Sequence, residues 1–334
     1  MAQRIQWVDS AKGIGILLVI IGHTQMTENI HALIYAFHLP LFFLLSGIFL
    51  FSKERPMQEE LVKKAKGLMI PYFWFNLILF LFDWIKNTLE AKAASASVAD
   101  TNLFSFANGL LTGDRMDAYL WFLPCLFFAQ FILLFFTQSK KHLLYVASGS
   151  AFVGIAINHF IGQPLPMSLD AACIAATFIA IGVYIRDMKF KLPPYAYLVA
   201  LAIFLACHYL NLRYTDYSGI DMFDCRYGNF LYFFGAAFAG IFLVIALVQR
   251  FPNSKFLTYF GRNSLLIYCS HKIFLISIII VLKRVPLPIQ DAETLIFVRS
   301  IIQTIGACLL CVPTIYIVNR YCPWLIGKSK TSKK

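Results

Sequence analysis

Charge is scarce in this 334-residue sequence: Asp, Glu, Lys and Arg together make up 14%, where an average soluble domain carries roughly a quarter. That deficit excludes an ordinary soluble globule. Acidic residues are the scarcer sign, 17 against 29 basic, for a formal net charge of +12. In a soluble chain such a balance would point to nucleic acid, but here most basic residues sit in short connectors beside apolar runs, so topology accounts for them and no nucleic-acid partner is expected. A disulfide framework and a cysteine metal cluster are equally absent. Cys125, Cys173, Cys207 and Cys269 lie inside apolar runs, Cys308 and Cys311 are one turn apart in another, and Cys225 alone stands in a polar loop. That distribution reads as small core residues. No cleavable signal peptide is expected, because the first apolar run carries Lys12 and His23 and no small-residue cleavage site follows it. No internal repeat of the kind that builds inverted-repeat transporters stands out.

Apolar sequence is abundant. Hydrophobic residues make up 59% and mean hydropathy is +0.69. Ten apolar stretches recur at about 11–26, 32–51, 68–85, 119–137, 143–161, 171–185, 195–210, 230–248, 264–282 and 295–318. Ten spans of about 20 residues would use about 200 positions, which leaves little for a separate soluble domain. The expected fold is an all-α, polytopic membrane helical bundle filling 1–322, with a basic tail at 323–334. With a cytoplasmic N-terminus, 20 Lys and Arg fall on the inner side and 7 on the outer, a bias that places both termini in the cytoplasm.

Ionisable groups inside spans are costly and are functional hypotheses by default. Lys12 and His23 are 11 positions apart, so they share one helical face about 16 Å apart, the cation toward the inside and the imidazole toward the outside. Gly13, Gly15 and Gly22 allow neighbouring helices to approach that span. His38 in the second span lies at a depth similar to His23, so the two imidazoles are candidates to meet. No carboxylate or cysteine set accompanies them, and no metal is expected. His271, near the middle of the ninth span, is a third candidate. Two outer connectors are long. Residues 87–118 combine low-complexity sequence with Gly113, Asp114, Arg115 and Asp117, and residues 211–229 interleave Asp216, Asp221, Asp224 and Arg226 with tyrosines. Hydrogen-bonding groups beside flat apolar faces suit a sugar ring, although a solvated connector would read the same way.

Together these residues resemble the acyltransferase 3 family of integral-membrane O-acyltransferases, and within it the fucose 4-O-acetylase-like branch. Trp7 to Gly13 leading to Gly22-His23 is similar to the family's basic residue, ten-residue gap and histidine. Phe37-His38-Leu39-Pro40 with Ser46-Gly47 resembles its second-span signature, and Lys63-Lys64-Ala65-Lys66 before Ile70-Pro71-Tyr72 resembles its basic inner-loop motif. Trp121 to Pro124, Asp221 through Asn229, and Gly261 to Ser264 with Tyr268 and His271 complete the likeness, which runs over about 4–320. The resemblance implies transfer of an acyl group, usually acetyl, from cytosolic acyl-CoA to a hydroxyl of a cell-surface glycan or its lipid-linked precursor, in a bacterial-type inner membrane whose lipids are its surroundings. Carried onto this sequence, it implies catalysis by His23, His38 and Asp9. Lys12, Lys63 and Lys66 would hold the acetyl-CoA, and Asp221, Asp224, Arg226, Tyr227, Asn229, Trp121 and His271 would contact the acceptor. Asp9, one turn before Lys12, is placed to pair with it. A neutral imidazole near its working pKa suits proton abstraction from a hydroxyl; whether His23 does this or carries the acyl group itself, spacing leaves open. The alternative is a secondary transporter or flippase for a glycolipid or small anion, with the same histidines as a proton relay.

Overall fold

Each of the ten apolar stretches carries a helix in the computed structural model, which describes residues 5–51, 56–93, 103–112, 120–137, 139–186, 188, 193–251, 254–285, 289 and 291–328. The helices are α1 (Gln6–Gly22), α2 (Glu28–Tyr35), α3 (His38–Gly47), α4 (Met57–Ala93), α5 (Leu103–Thr112), α6 (Phe122–Phe136), α7 (Lys140–Phe160), α8 (Leu169–Ile185), α9 (Pro194–Leu212), α10 (Phe230–Arg250), α11 (Lys255–Arg262), α12 (Ser264–Arg284) and α13 (Ala292–Tyr321). Eight helical segments are long and apolar enough to cross a membrane. Large apolar side chains such as Phe136, Phe152, Leu198 and Leu309 point outward, as lipid contact requires. The chain is a polytopic membrane protein.

Three sequence expectations need correction. The second span is two pieces, because Phe37 (φ −145°, ψ −17°) breaks the helix between α2 and α3. Pro40 then falls in the first turn of α3, where its missing N–H leaves no bond unmade. The lysine cluster around Lys63 and Lys66 is not a loop: α4 starts at Met57 and runs 37 residues through it. The connector 87–118 is helical at both described parts, the end of α4 and all of α5. Gly113, Asp114, Arg115, Asp117 and the tail residues 329–334 lie outside the described residues.

Helix starts follow local chemistry. The side chains of Ser139, Asn229, Ser254 and Asp291 accept the backbone N–H of Lys141, Leu231, Leu257 and Thr294, each satisfying one of the donors a helix leaves open. Two crossings bring backbones into contact. Gly13 of α1 lies against the Leu257 backbone of α11, and Gly261 of α11 against Asp9. Gly47 of α3 lies against Ile179 of α8, and Gly182 of α8 against Leu44. A Cβ at any of the four would overlap the opposing backbone, so the close packing depends on glycine. Ser10 and Thr258 share a hydrogen bond of 3.2 Å at the first crossing.

One end of the bundle gathers both ends of the described chain. Arg262 Nε meets Asp9 Oδ2 at 3.0 Å, Asn319 Nδ2 donates to Asn263 Oδ1 at 3.1 Å, Trp74 packs on Trp324, and Gly327 lies against the Lys66 carbonyl. His23, α2 and the connector 213–229 form the opposite end.

Candidate active site

At that opposite end a cavity of about 320 Å³ opens among α1, α2, α3, α4, α12 and the two residues before α6, with the 213–229 connector as its outer wall. Three histidines face it. His23 caps the end of α1, its N–H 3.2 Å from the carbonyls of Val19 and Ile20, so the helix stops where the imidazole enters the cavity, and the residue stays exposed. His38 opens α3 and is buried, with Nδ1 2.8 Å from the Ile34 carbonyl. His271 of α12 is buried, with Nδ1 2.7 Å from the Tyr268 carbonyl and 3.1 Å from that of Ile267. A carbonyl only accepts, so in both His38 and His271 the proton sits on Nδ1 and Nε2 carries the lone pair, a tautomer assigned from the hydrogen bonds. His271 Nε2 is buried and makes no hydrogen bond. His23 and His271 rings are 5.1 Å apart, so the direct ring partner of His23 is His271 rather than His38, which lies across the same cavity beside Tyr35 at 4.8 Å. Tyr35 is itself stacked on His31 at 3.7 Å.

A second chamber of about 160 Å³ lies deeper, toward the other end. Lys12, Ile16 and Val19 line it, and Val19 with His23 lines the first. One face of α1 at 12, 16, 19 and 23 therefore serves both, as helical spacing requires. Lys12 Nζ stands 5.5 Å from the centre of the Phe49 ring, with Ser46 and Ser264 on the same walls. Asp9 stands near enough for its charge to act on Lys12 but forms no ion pair with it. Its carboxylate is taken by Arg262 of α11, outside both chambers.

The outer connector divides into wall and scaffold. Asp221 and Phe223 line the cavity. Asp221 and Arg226 exchange backbone hydrogen bonds of 2.8 Å each, closing a tight turn, and the Asp221 carboxylate accepts the Phe223 N–H at 2.8 Å. Burial pushes the Asp221 carboxyl up to about 6. Arg226 ties the turn together through Ser218 at 3.0 Å, Asp224 at 3.3 Å and Asp221 at 3.8 Å. Asp224 is outside the cavity. Tyr227 and Asn229 are corrections: neither reaches the cavity. Tyr227 is buried between Phe230 and Phe233, and Asn229 caps α10. Asn211 brackets both, donating to the Tyr227 carbonyl at 2.9 Å and accepting the Asn229 N–H at 2.7 Å. The Asn229 side chain serves the chain's own backbone.

Lys63 and Lys66 line a shallow groove with Glu59 and Gly327 at the opposite end from the histidines. Lys63 is 3.8 Å and Lys64 3.7 Å from Glu60, so part of this charge is compensated within α4. Among the described residues no three His, Cys, Asp or Glu side chains converge as a metal-ligand set.

A family model described as an acyltransferase domain, Acyl_transf_3, matches residues 5–320. The chain belongs to the acyltransferase 3 family. No curated protein and no solved structure matches it. The match covers both chambers, the outer wall and, except for Gly327, the basic groove. Of the residues singled out from sequence, Trp121, Asp221 and His271 join His23 and His38 at the cavity, while Lys12 is in the deeper chamber. Tyr35, Phe223, Tyr268 and Lys272 also line the acyltransferase cavity and were missed as site residues. For two of them a signal existed: Tyr268 and Lys272 are three before and one after His271, on one side of α12.

Proposed function

We propose that the protein is an O-acetyltransferase that moves an acetyl group from acyl-CoA to a hydroxyl of a cell-surface glycan or its lipid-linked precursor, as in the fucose 4-O-acetylase-like branch. The observation that carries this reading is the pair of adjoining chambers along one face of α1, with Lys12 in one and His23 in the other. In this reading the donor enters from the Lys12 end, a cytoplasmic face that also holds both termini. Its phosphates are attracted first by Lys63 and Lys66 and the thioester arm lies in the narrow apolar chamber. Lys12 acts as a point charge on the donor. The acceptor hydroxyl enters the wider cavity from the outer face, its sugar ring against Trp121 and Tyr35 and its hydroxyls beside Asp221. His23 takes the hydroxyl proton as oxygen attacks the thioester carbonyl. His271, with its lone pair on Nε2 and its ring against His23, is placed to hold the same proton in transit. Asp9 supports the site at a distance by fixing the start of α1 against α11.

The arrangement of a separate donor chamber favours acyl transfer over the transporter alternative, which has no use for a thioester-sized cleft. The test is chemical. Membranes from cells with and without the protein are incubated with acetyl-CoA labelled in the acetyl group, and surface polysaccharide is analysed by mass. Protein-dependent gain of one acetyl per acceptor sugar is expected. Glycan translocation without label would replace this reading by transport.

A further inference from the structure

The two chambers adjoin along a shared wall, the neck. Val19 of α1, Leu39 of α3 and Tyr268 of α12 line both of them. Val19 and Leu39 are 2% and 8% exposed, and the Tyr268 ring is held between Phe122 at 5.5 Å and His271 at 6.0 Å. Below the neck the walls are apolar, from Ile16, Phe42 and Leu126. Above it stand His23, His271 and Asp221.

We propose that Val19, Leu39 and Tyr268 set the length of the acyl group, admitting a two-carbon group and rejecting longer ones. The proposal rests on the acyl-transfer reading above. The thioester carbonyl must reach the histidines while the sulfur and its arm trail in the narrow chamber. Every further methylene must then lodge above the neck, in a cavity of about 320 Å³ that also receives the acceptor ring. An acetyl group adds one methyl there. A longer chain presses on Val19, Leu39 and Tyr268, which also line that cavity, and is pushed toward Asp221 and the lone pair on His271, displacing the water or hydroxyl partners those atoms need. The neck cannot relax to make room, because its side chains are packed from three helices and close-packed interiors resist even one extra methylene. In the transfer itself the C–S bond of the thioester breaks as the C–O bond of the ester forms. The hydroxyl proton passes by way of the histidines to the coenzyme A sulfur, which leaves as the thiol.

The experiment uses detergent-permeabilised membranes carrying the full chain with its native acceptor. Acetyl-, propionyl- and butyryl-CoA are supplied in turn, and thiol release is measured above that of His23→Ala membranes. Wild type is expected to lose roughly tenfold or more per added methylene, within the 10- to 200-fold a pocket can give. Val19→Ala and Leu39→Ala should each raise the butyryl-to-acetyl ratio at least tenfold. Leu39→Val, a smaller deletion, keeps the readout available where the alanine variant fails to accumulate. The ratio is taken within one preparation, so it does not depend on how much of a variant folds. Equal rates with all three donors in wild type, or a ratio unmoved in every widened variant, would overturn the neck. Thiol release from none of the donors in wild type would instead overturn acyl transfer itself.

Discussion

The deeper and outer chambers share three wall residues yet differ in chemistry. The deeper one is apolar except for Lys12 and two serines, whereas the outer one collects three imidazoles, Asp221 and Lys272. A single helix face supplies both, changing from cation to apolar side chain to imidazole between Lys12 and His23. In most enzymes loops separate the binding of one substrate from that of another. In the proposed reading depth along a helix does so here, and each function should be removable without touching the other.

The strongest way to break that contrast is at His23. His23→Ala should lower transfer by about 10²- to 10⁴-fold, the contribution of a positioned base, while the protein inserts and purifies as before. Transfer within a few-fold of wild type would remove His23 from the chemistry. Next is Lys12 in the other chamber. Lys12→Ala should raise the KM for acetyl-CoA about tenfold, a single charge-assisted contact, and leave acceptor dependence unchanged. Lys12→Arg should retain more activity than alanine; a defect in acceptor use would show that the chambers are not chemically separate.

A smaller effect sharpens the outer side. The Asp221 carboxyl is raised by burial to about 6 from an ordinary value of 3.8, so it is protonated below that pH and becomes a carboxylate above it. If it accepts hydrogen bonds from the acceptor, acceptor KM should improve several-fold from pH 5 to pH 7 in wild type and stay flat in Asp221→Asn. The folded state also holds this proton more tightly than the unfolded chain. Its contribution to stability is full below pH 4, falls as pH rises to about 6 and is level above. Asp221→Asn should remove that slope from a melting series. The smallest effect belongs to the surface. Replacing Lys63 and Lys66 by Gln should raise the acetyl-CoA requirement only a few-fold, and the difference should disappear at high salt because exposed charges are screened.

Spans and the shared face of α1 were legible because both follow from periodicity within one segment. Lys12, Val19 and His23 fall on one stripe whatever surrounds them. The His23–His271 contact was not legible, since it depends on α12 packing beside α1, a pairing that no local pattern specifies. Asn229 is a related case. A polar residue that caps a helix and one that binds a sugar have the same composition, and only the bond from the Leu231 N–H to the Asn229 side chain shows the capping role. The lysines of α4 looked like a loop because charge is rare in a span, but a helix that extends beyond the bilayer carries charge at no cost.

The glycine crossings have a mechanical consequence. A carrier that alternates access slides one half of its bundle past the other. Here the helix bearing Lys12 and His23 touches α11 backbone to backbone, and the one bearing His38 touches α8 in the same way. A shift of one residue would set side chains where only hydrogen fits. His23 and His38 are therefore carried on helices each held in register with one neighbour. If an acyl group passes between the two chambers, sliding within the α1–α11 or α3–α8 pair is not a way to widen its path.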